Sequence, residues 1–317
     1  MRKIGGMISD ELLISKEKIE LLTSICKTDL TSDLVGEFPE LQGLMGGYFS
    51  KHQGFDDDIS LAISQQYLPV GLNSTVPKKP FSVALSITDK IDTLVGFFGI
   101  NEKPTSSKDP LALRRIALGI IRTAIENKKN LKINDLLNYS SRLYDDQGYN
   151  LDNKDLQNEL HDFLKNRFRY YLKEKEIRFD IIEATLSSFS LNKLYSSFEK
   201  AKCLNKVINS QIGIDINSSY KRASNILDYE MKNNEIEIND TTDPAIFKSD
   251  FEKNLYKKIN DIRKYYSTIN SDENFEKSLS ILAEIKKEVF EFFDNVKVNE
   301  ENETLRKNRL ELSLIHI

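Results

Sequence analysis

The sequence predicts an all-α fold, and three observations predict it. Apolar residues recur at three- and four-residue steps along most of the 317-residue chain, which is the spacing of one helix face. Alternating apolar and polar residues, the mark of a half-buried strand, never run beyond a few positions. Glycine and proline are unevenly placed: six of the seven prolines and eleven of the thirteen glycines precede residue 120. That shift predicts a turn-rich first domain, ending near residue 130, followed by long and little-interrupted helices.

The elements follow in order. Residues 10–26 carry Leu13, Leu21, Leu22 and Ile25 at helical spacing. The segment 68–80, LPVGLNSTVPKKP, is a loop on its turn chemistry. In 81–98, Ala84, Ile87, Ile91, Leu94 and Phe98 step by three or four and predict an amphipathic helix. Leu113, Ile116, Ile120 and Ala124 do the same in 110–125, with Asp109 as N-cap and Pro110 at the first helical position. Helices are expected over 155–175, 177–189, 192–210 and 217–232. A polar linker, NNEIEINDTTDPA, covers 233–245. Two long helices are expected over 246–268 and 272–294, the second with a seam of Leu279, Leu282, Ile285, Val289 and Phe292/Phe293. A last helix starts near Glu303.

Charged residues make up 30% of the chain and sum to −4. So balanced a charge gives no global pull toward nucleic acid, and any such role rests on local patches. Cys26 and Cys203 have no metal-type spacing, which suits a reduced, intracellular protein. No apolar run approaches the roughly 20 residues that cross a bilayer, and MRKIGGMISDELL lacks a secretory core. A soluble, cytoplasmic protein is expected.

Sites for chemistry are sparse. The His161–Asp162 doublet lies in a surface helix without further ligands to complete a metal cage. Asp89 and Asp92, three apart on one face, read as a polar edge satisfied by Lys90 or by nearby caps. Cys26 reads as buried packing, and Cys203 has no neighbouring base. No nucleophile elbow, Walker loop or dinucleotide glycine pattern occurs.

Basic patches remain. Arg115, Gly119 and Arg122 fall on one helical strip, with Arg114 and Lys108 beside it and Lys78 and Lys79 in the preceding loop. Guanidinium forks suit phosphate oxygens, a helix N-terminus favours an anion, and a glycine lets a backbone come close. Against this stands an ordinary solvated face paired with acids elsewhere. A second segment interleaves Lys165, Arg167 and Arg169 with Phe168, Tyr170 and Tyr171. Alternating bases and rings suits unpaired RNA; the plainer reading, an amphipathic helix with aromatics inside, is preferred.

Six stretches carry a resemblance: KTDLTSDLVGEFPELQGLMGGYFSKHQG (27–54), ISQQYLPV (63–70), LSITDKIDTLVGFFGINEKPTSSKDPLALRRIALGIIR (85–122), SSYKRASNIL (218–227), FFDNVKVN (292–299) and LRKNRLEL (305–312). In this order they resemble the β subunit of the bacterial, heterotetrameric glycyl-tRNA synthetase from end to end, and 85–122 is the most specific. The resemblance implies the C-terminal part of a longer β subunit. It implies an HD-like helical domain over 1–130, similar in fold to metal-dependent phosphohydrolases, a helical connector over 131–235, and an anticodon-binding-type helical domain over 236–317. The ends depart from the family: the chain starts well inside its usual sequence, and 313–317 do not look like it, so the last domain is expected to be incomplete.

The same resemblance implies that the phosphohydrolase His–Asp doublet is replaced by Lys27-Thr28-Asp29, leaving His52 and Asp89 as remnants of a degenerate ligand set with no metal held. No catalytic residue is implied in this chain. Arg114, Arg115 and Arg122, supported by Lys78, Lys79 and Lys108, are expected on phosphates of the tRNA acceptor arm, and Arg306 and Arg309 in the anticodon domain, either in contact with RNA or in internal ion pairs. The implied role is tRNA recognition within an α2β2 glycine–tRNA ligase acting on tRNA(Gly), with ATP and Mg²⁺ used by the α subunit. The alternatives are an HD-type phosphohydrolase using His52 and Asp89, or a helical scaffold for subunit assembly.

Overall fold

The computed structural model describes residues 1–71, 73–105, 107–151, 154–233, 242–268 and 275–314, and among these every regular element is helical. The chain forms two compact units, 1–201 and 202–317.

The first unit begins with α1 (Arg2–Leu12) and α2 (Lys16–Ile25), which replace the single helix expected over 10–26. Leu13 ends α1 in the left-handed region at φ 55° and is 91% exposed. Ser15 then caps α2, its hydroxyl accepting the Lys18 N–H at 3.2 Å. α1 escaped the sequence reading because Gly5 and Gly6 weaken helix propensity. Packing outweighs propensity there: a Cβ on Gly5 would lie 3.0 Å from Thr23 Cγ2 and 3.2 Å from Ile19 Cγ1, so the missing side chain lets α1 lie close on α2.

Short helices α3 (Asp33–Glu37), α4 (Leu44–His52) and α5 (Asp57–Gln65) follow. The centre of the unit is α6 (Pro80–Gly99), with Pro80 at its first turn, where the missing N–H costs nothing. Its buried residues surround the axis, as for a helix enclosed on all sides. It packs on α1, α2 and α5, and then on α7 (Leu113–Glu126), α8 (Ile133–Asp145) and α9 (Lys154–Glu174). The start of α7 is a correction. Asp109 does cap, but from a distance: its carboxylate accepts the N–H groups of Leu113 (2.8 Å) and Arg114 (3.0 Å). Ala112, at φ 54°, holds the N-cap position and Pro110 lies in the preceding turn. α10 (Phe179–Ser187) packs on α9, and α11 (Leu194–Val207) runs across the limit between the units.

The second unit holds α12 (Gln211–Asn233), α13 (Asp250–Thr268), α14 (Phe275–Ala283), α15 (Lys286–Asn295) and α16 (Glu303–Leu314). Leu255, Ile259, Val289, Phe292 and Leu310 anchor its core. The helix expected over 272–294 is two helices, broken by a turn at Glu284–Ile285; no glycine or proline marks that break. Of the expected linker, residues 234–241 lie outside those described, as do 315–317 and 272–274. The expected connector, 131–235, is shared out: α8 to α10 belong to the first unit and α12 to the second.

A candidate nucleic-acid interface

Because α7 packs against α9, the two basic segments of the sequence meet. Between them opens a cleft of about 340 Å³, lined by Pro69, Gly71, Arg114, Arg115, Leu118, Gly119, Arg122, Arg167 and Tyr170. Among these lining residues none is acidic. Arg115 is exposed, and its side chain has no ion pair or hydrogen bond among the described residues. Arg114 is half-buried and donates one guanidinium N–H to the Thr105 carbonyl. Arg167 is half-buried, with its Nε enclosed and unpartnered among the described residues. Burial and then the neighbouring Arg114 charge lower its pKa below the usual arginine range, and Tyr170 and Asp109 offset this in part. The cleft therefore concentrates positive charge that the protein leaves largely uncompensated.

Two expected features of the strip have other roles. Arg122 is only 6% exposed. Its guanidinium donates to Glu126 Oε1 (2.8 Å), to the Gly71 carbonyl (2.6 Å) and to the Ser74 carbonyl (2.7 Å). It ties the 71–74 loop to α7, so it forms the back of the cleft and has no free fork for an RNA phosphate. Gly119 makes room for Lys90: a Cβ there would lie 2.8 Å from Lys90 Cε and 3.5 Å from Pro69 Cδ. Lys90 is buried, and its ammonium donates to the carbonyls of Leu68 (2.8 Å) and Gln66 (3.2 Å) and to Ser86 Oγ (2.8 Å). Burial pulls its pKa down to about 8.

The supporting lysines lie outside the cleft lining. Lys78 is exposed and donates to the Glu126 carbonyl at 2.8 Å, closing the C-terminal end of α7. Lys79 and Lys108 are exposed. On α9 the plainer reading holds for Phe168 and Tyr171, both buried. Arg169 is engaged by Glu183 at 2.8 Å and by Asn166 at 2.6 Å, and Lys165 is half-buried. Arg167 and Tyr170 depart from it and face the α7 strip. Their spacing was visible in the sequence; their partner helix was not.

The expected phosphohydrolase remnant is rebuilt around an amine. Lys27 Nζ lies 2.7 Å from Asp89 Oδ1 and 3.2 Å from the Tyr67 hydroxyl. Burial alone would lower the Lys27 pKa, but the Asp89 charge and the bonds to Asp89 and Tyr67 raise it above the usual lysine value. Asp89 is thus satisfied by Lys27, whereas Lys90 turns away to the loop carbonyls. Asp29 is buried, and its Oδ2 accepts the N–H groups of Gly43 (2.6 Å) and Gly46 (3.2 Å), which stabilises the start of α4. His52 sits exposed at the end of α4. Among the described residues no group of three or more His, Cys, Asp or Glu is arranged to hold a metal ion. His161 packs edge-on to Phe189, 5.8 Å between centroids. Cys26 is buried, which pushes its thiol up to about 11.

In the second unit, Ser249 and Glu252 form a reciprocal cap on α13: Glu252 Oε2 accepts the Ser249 N–H at 2.7 Å, and Ser249 Oγ accepts the Glu252 N–H at 3.3 Å. The other Glu252 oxygen accepts Arg309 Nε at 2.8 Å. Arg309 is 7% exposed and also donates to the Lys297 carbonyl (2.9 Å) and to Glu300 (3.2 Å). It is an internal tie between α13 and α16 and does not reach an RNA. Arg306 is half-buried, its Nε unpartnered among the described residues. No helix among the described residues is long and apolar enough to cross a membrane.

Comparison with known proteins agrees with the resemblance. The family described as glycyl-tRNA synthetase beta subunit matches residues 1–187, and the DALR anticodon binding domain matches 216–316. The second match begins in α12, ahead of the linker. Glycine–tRNA ligase beta subunits are similar along the chain. That of Rickettsia canadensis is 39% identical over 92% of this chain and 42% of its own length. That of Rickettsia africae is 37% identical over 94% and 43%, and that of Cereibacter sphaeroides 34% over 91% and 41%. The chain thus spans less than half the length of these relatives. It belongs to the glycyl-tRNA synthetase β-subunit family.

Proposed function

We propose that the chain is a tRNA-recognition part of a glycine–tRNA ligase β subunit. It supports glycylation of tRNA(Gly) by an α2β2 enzyme in the cytoplasm, with the α subunit activating glycine using ATP and Mg²⁺. Arg114, Arg115 and Arg167 hold phosphates of the acceptor arm, with Lys78, Lys79 and Lys108 adding attraction at longer range. The second unit serves the anticodon side through its exposed surface. The observation that carries this reading is the convergence of three incompletely paired guanidinium groups in a cleft whose lining has no acid, since such forks match phosphate oxygens. The Lys27–Asp89 pair argues against the phosphohydrolase alternative, because an ammonium stands where a metal's charge would be needed. A mobility-shift assay with tRNA(Gly) tests the proposal. Charge reversal at Arg114 and Arg115 should abolish the shift at moderate salt, and an unchanged shift would count against it.

A second role in subunit contact is favoured by one surface. Leu30, Leu34, Phe38, Leu44 and Tyr48 are 37–63% exposed within a short stretch around α3 and α4, and large exposed apolar patches mark interaction sites. The α subunit is its proposed partner. Tyr48→Asp with Leu44→Asp should weaken co-purification with α; retention of α at wild-type yield would exclude this face.

A further inference from the structure

Phosphate binding alone leaves part of the cleft unexplained. A site for backbone phosphates needs only donors, whereas this one has a floor of Pro69 and Leu118 and a wall formed by the Tyr170 ring. Tyr170 is 37% exposed, and the Arg167 guanidinium lies over its ring, 5.9 Å from the centroid. A partly exposed ring with a guanidinium over it, beside further arginines, is a stacking platform joined to a phosphate clamp. The volume of about 340 Å³ is at the small end of ligand sites and larger than a phosphate alone would fill.

We infer that this cleft takes one unstacked nucleotide of single-stranded RNA, its base on Tyr170 and the apolar floor and its phosphate between Arg114, Arg115 and Arg167. The inference rests on the RNA-binding reading above and narrows it from phosphates in general to an unpaired residue. Arg167 is the hinge of the site: it serves the phosphate through its open fork and braces the tyrosine ring. The like charges of Arg114 and Arg167, which oppose one another in the free protein, are both compensated when the anion arrives. A duplex presents its phosphates without a free base and uses only the arginines at the rim.

Fluorescence anisotropy with the full chain tests this, using a labelled single-stranded oligoribonucleotide and a blunt-ended RNA duplex. Tyr170→Ala should weaken the single strand by roughly ten-fold, as loss of one stacked base does, and leave the duplex unchanged. Tyr170→Phe should retain wild-type affinity for both, and Arg115→Glu should weaken both. If Tyr170→Ala spares the single strand, or weakens duplex and single strand alike, the inference fails while phosphate binding stands. If Arg115→Glu changes neither ligand, the RNA-binding reading itself fails. Competition separates the sources of the nucleotide: AMP should displace the oligomer only well above the oligomer's own dissociation constant. AMP binding more tightly than the oligomer would assign the cleft to a free nucleotide instead. Inorganic phosphate competing as well as AMP would show that the base contributes nothing.

Discussion

Arg122→Met separates a structural arginine from a ligand-binding one. The side chain is 6% exposed and makes three charge-assisted hydrogen bonds of 2.6 to 2.8 Å. Hydrogen bonds from a charged group contribute about 1.5–3 kcal/mol each, but the acceptors are not equally trapped. Glu126 keeps 30% of its side chain exposed and regains water. The Gly71 and Ser74 carbonyls are only part-buried and also regain water. Methionine also keeps much of the apolar packing. The expected loss is therefore about 3 kcal/mol, at the lower edge of breaking a buried charge pair. For a unit of this size that lowers the midpoint of its thermal transition by about 6–12 °C. The assay is thermal and urea unfolding followed by circular dichroism, with Arg115→Met as the comparison. Arg115 is exposed and unpaired, so its loss should shift stability by no more than about 0.5 kcal/mol while reducing RNA affinity. If Arg122→Met left the midpoint where it is and cost only RNA affinity, the clamp assignment would be wrong.

Other consequences concern burial and charge. Arg309→Met should destabilise the second unit by about 3–5 kcal/mol, because Glu252 is fully buried and would be left unpaired; a denaturation midpoint matching wild type would refute the tie. Despite burial, which raises it, Glu252 is held below its ordinary value of 4.5 by Arg309 and Ser249. Its contribution is present above about pH 4.5 and is lost as pH falls through the lower folded value, since the unfolded chain takes the proton first. Glu252→Gln should flatten the acid limb of the stability curve. Lys90 has the opposite sense. Its folded pKa of about 8 lies below the ordinary 10.5, so the unfolded state binds more protons between the two, and stability rises with pH across that window. Subtracting the pH profile of Lys90→Met should isolate this rise, and parallel profiles would exclude it. Gly119→Ala should cost about 1–2 kcal/mol net, since its Cβ would press on Lys90 Cε at 2.8 Å and the overpacking outweighs the gain in helix propensity. A more stable Gly119→Ala protein would mean that Lys90 yields freely.

How much of this was legible in the sequence depends on how local the cause was. The step of Ala84, Ile87, Ile91 and Leu94 predicted α6 because the periodicity lies within the helix itself. The α1–α2 break and the late start of α7 were missed because left-handed Leu13 and Ala112 look like ordinary helix formers. The strip of Arg114, Arg115 and Arg122 was visible as a helix face, but spacing cannot tell an arginine that faces a loop from one that faces solvent. Arg122 was misplaced for that reason, and Arg309 was left between contact and internal pairing. Arg167 and Tyr170 were seen and set aside, since only the packing of α9 on α7 brings them to the strip. The resemblance implied a degenerate ligand set at Lys27-Thr28-Asp29, His52 and Asp89. That Lys27 would neutralise Asp89 while Asp29 caps α4 needed the fold.

The central claim is that Arg114, Arg115 and Arg167 form one phosphate-holding site while Arg122 does not take part. The salt dependence of tRNA(Gly) binding tests it most directly. Each phosphate contact adds about 0.7–0.9 to the slope of log affinity against log salt. Replacing the three arginines of this one phosphate site with glutamine should therefore reduce that slope by about 0.7–0.9 and weaken binding at moderate salt, with the unfolding midpoint preserved. The same slope and affinity in the triple variant as in the wild type would contradict the account.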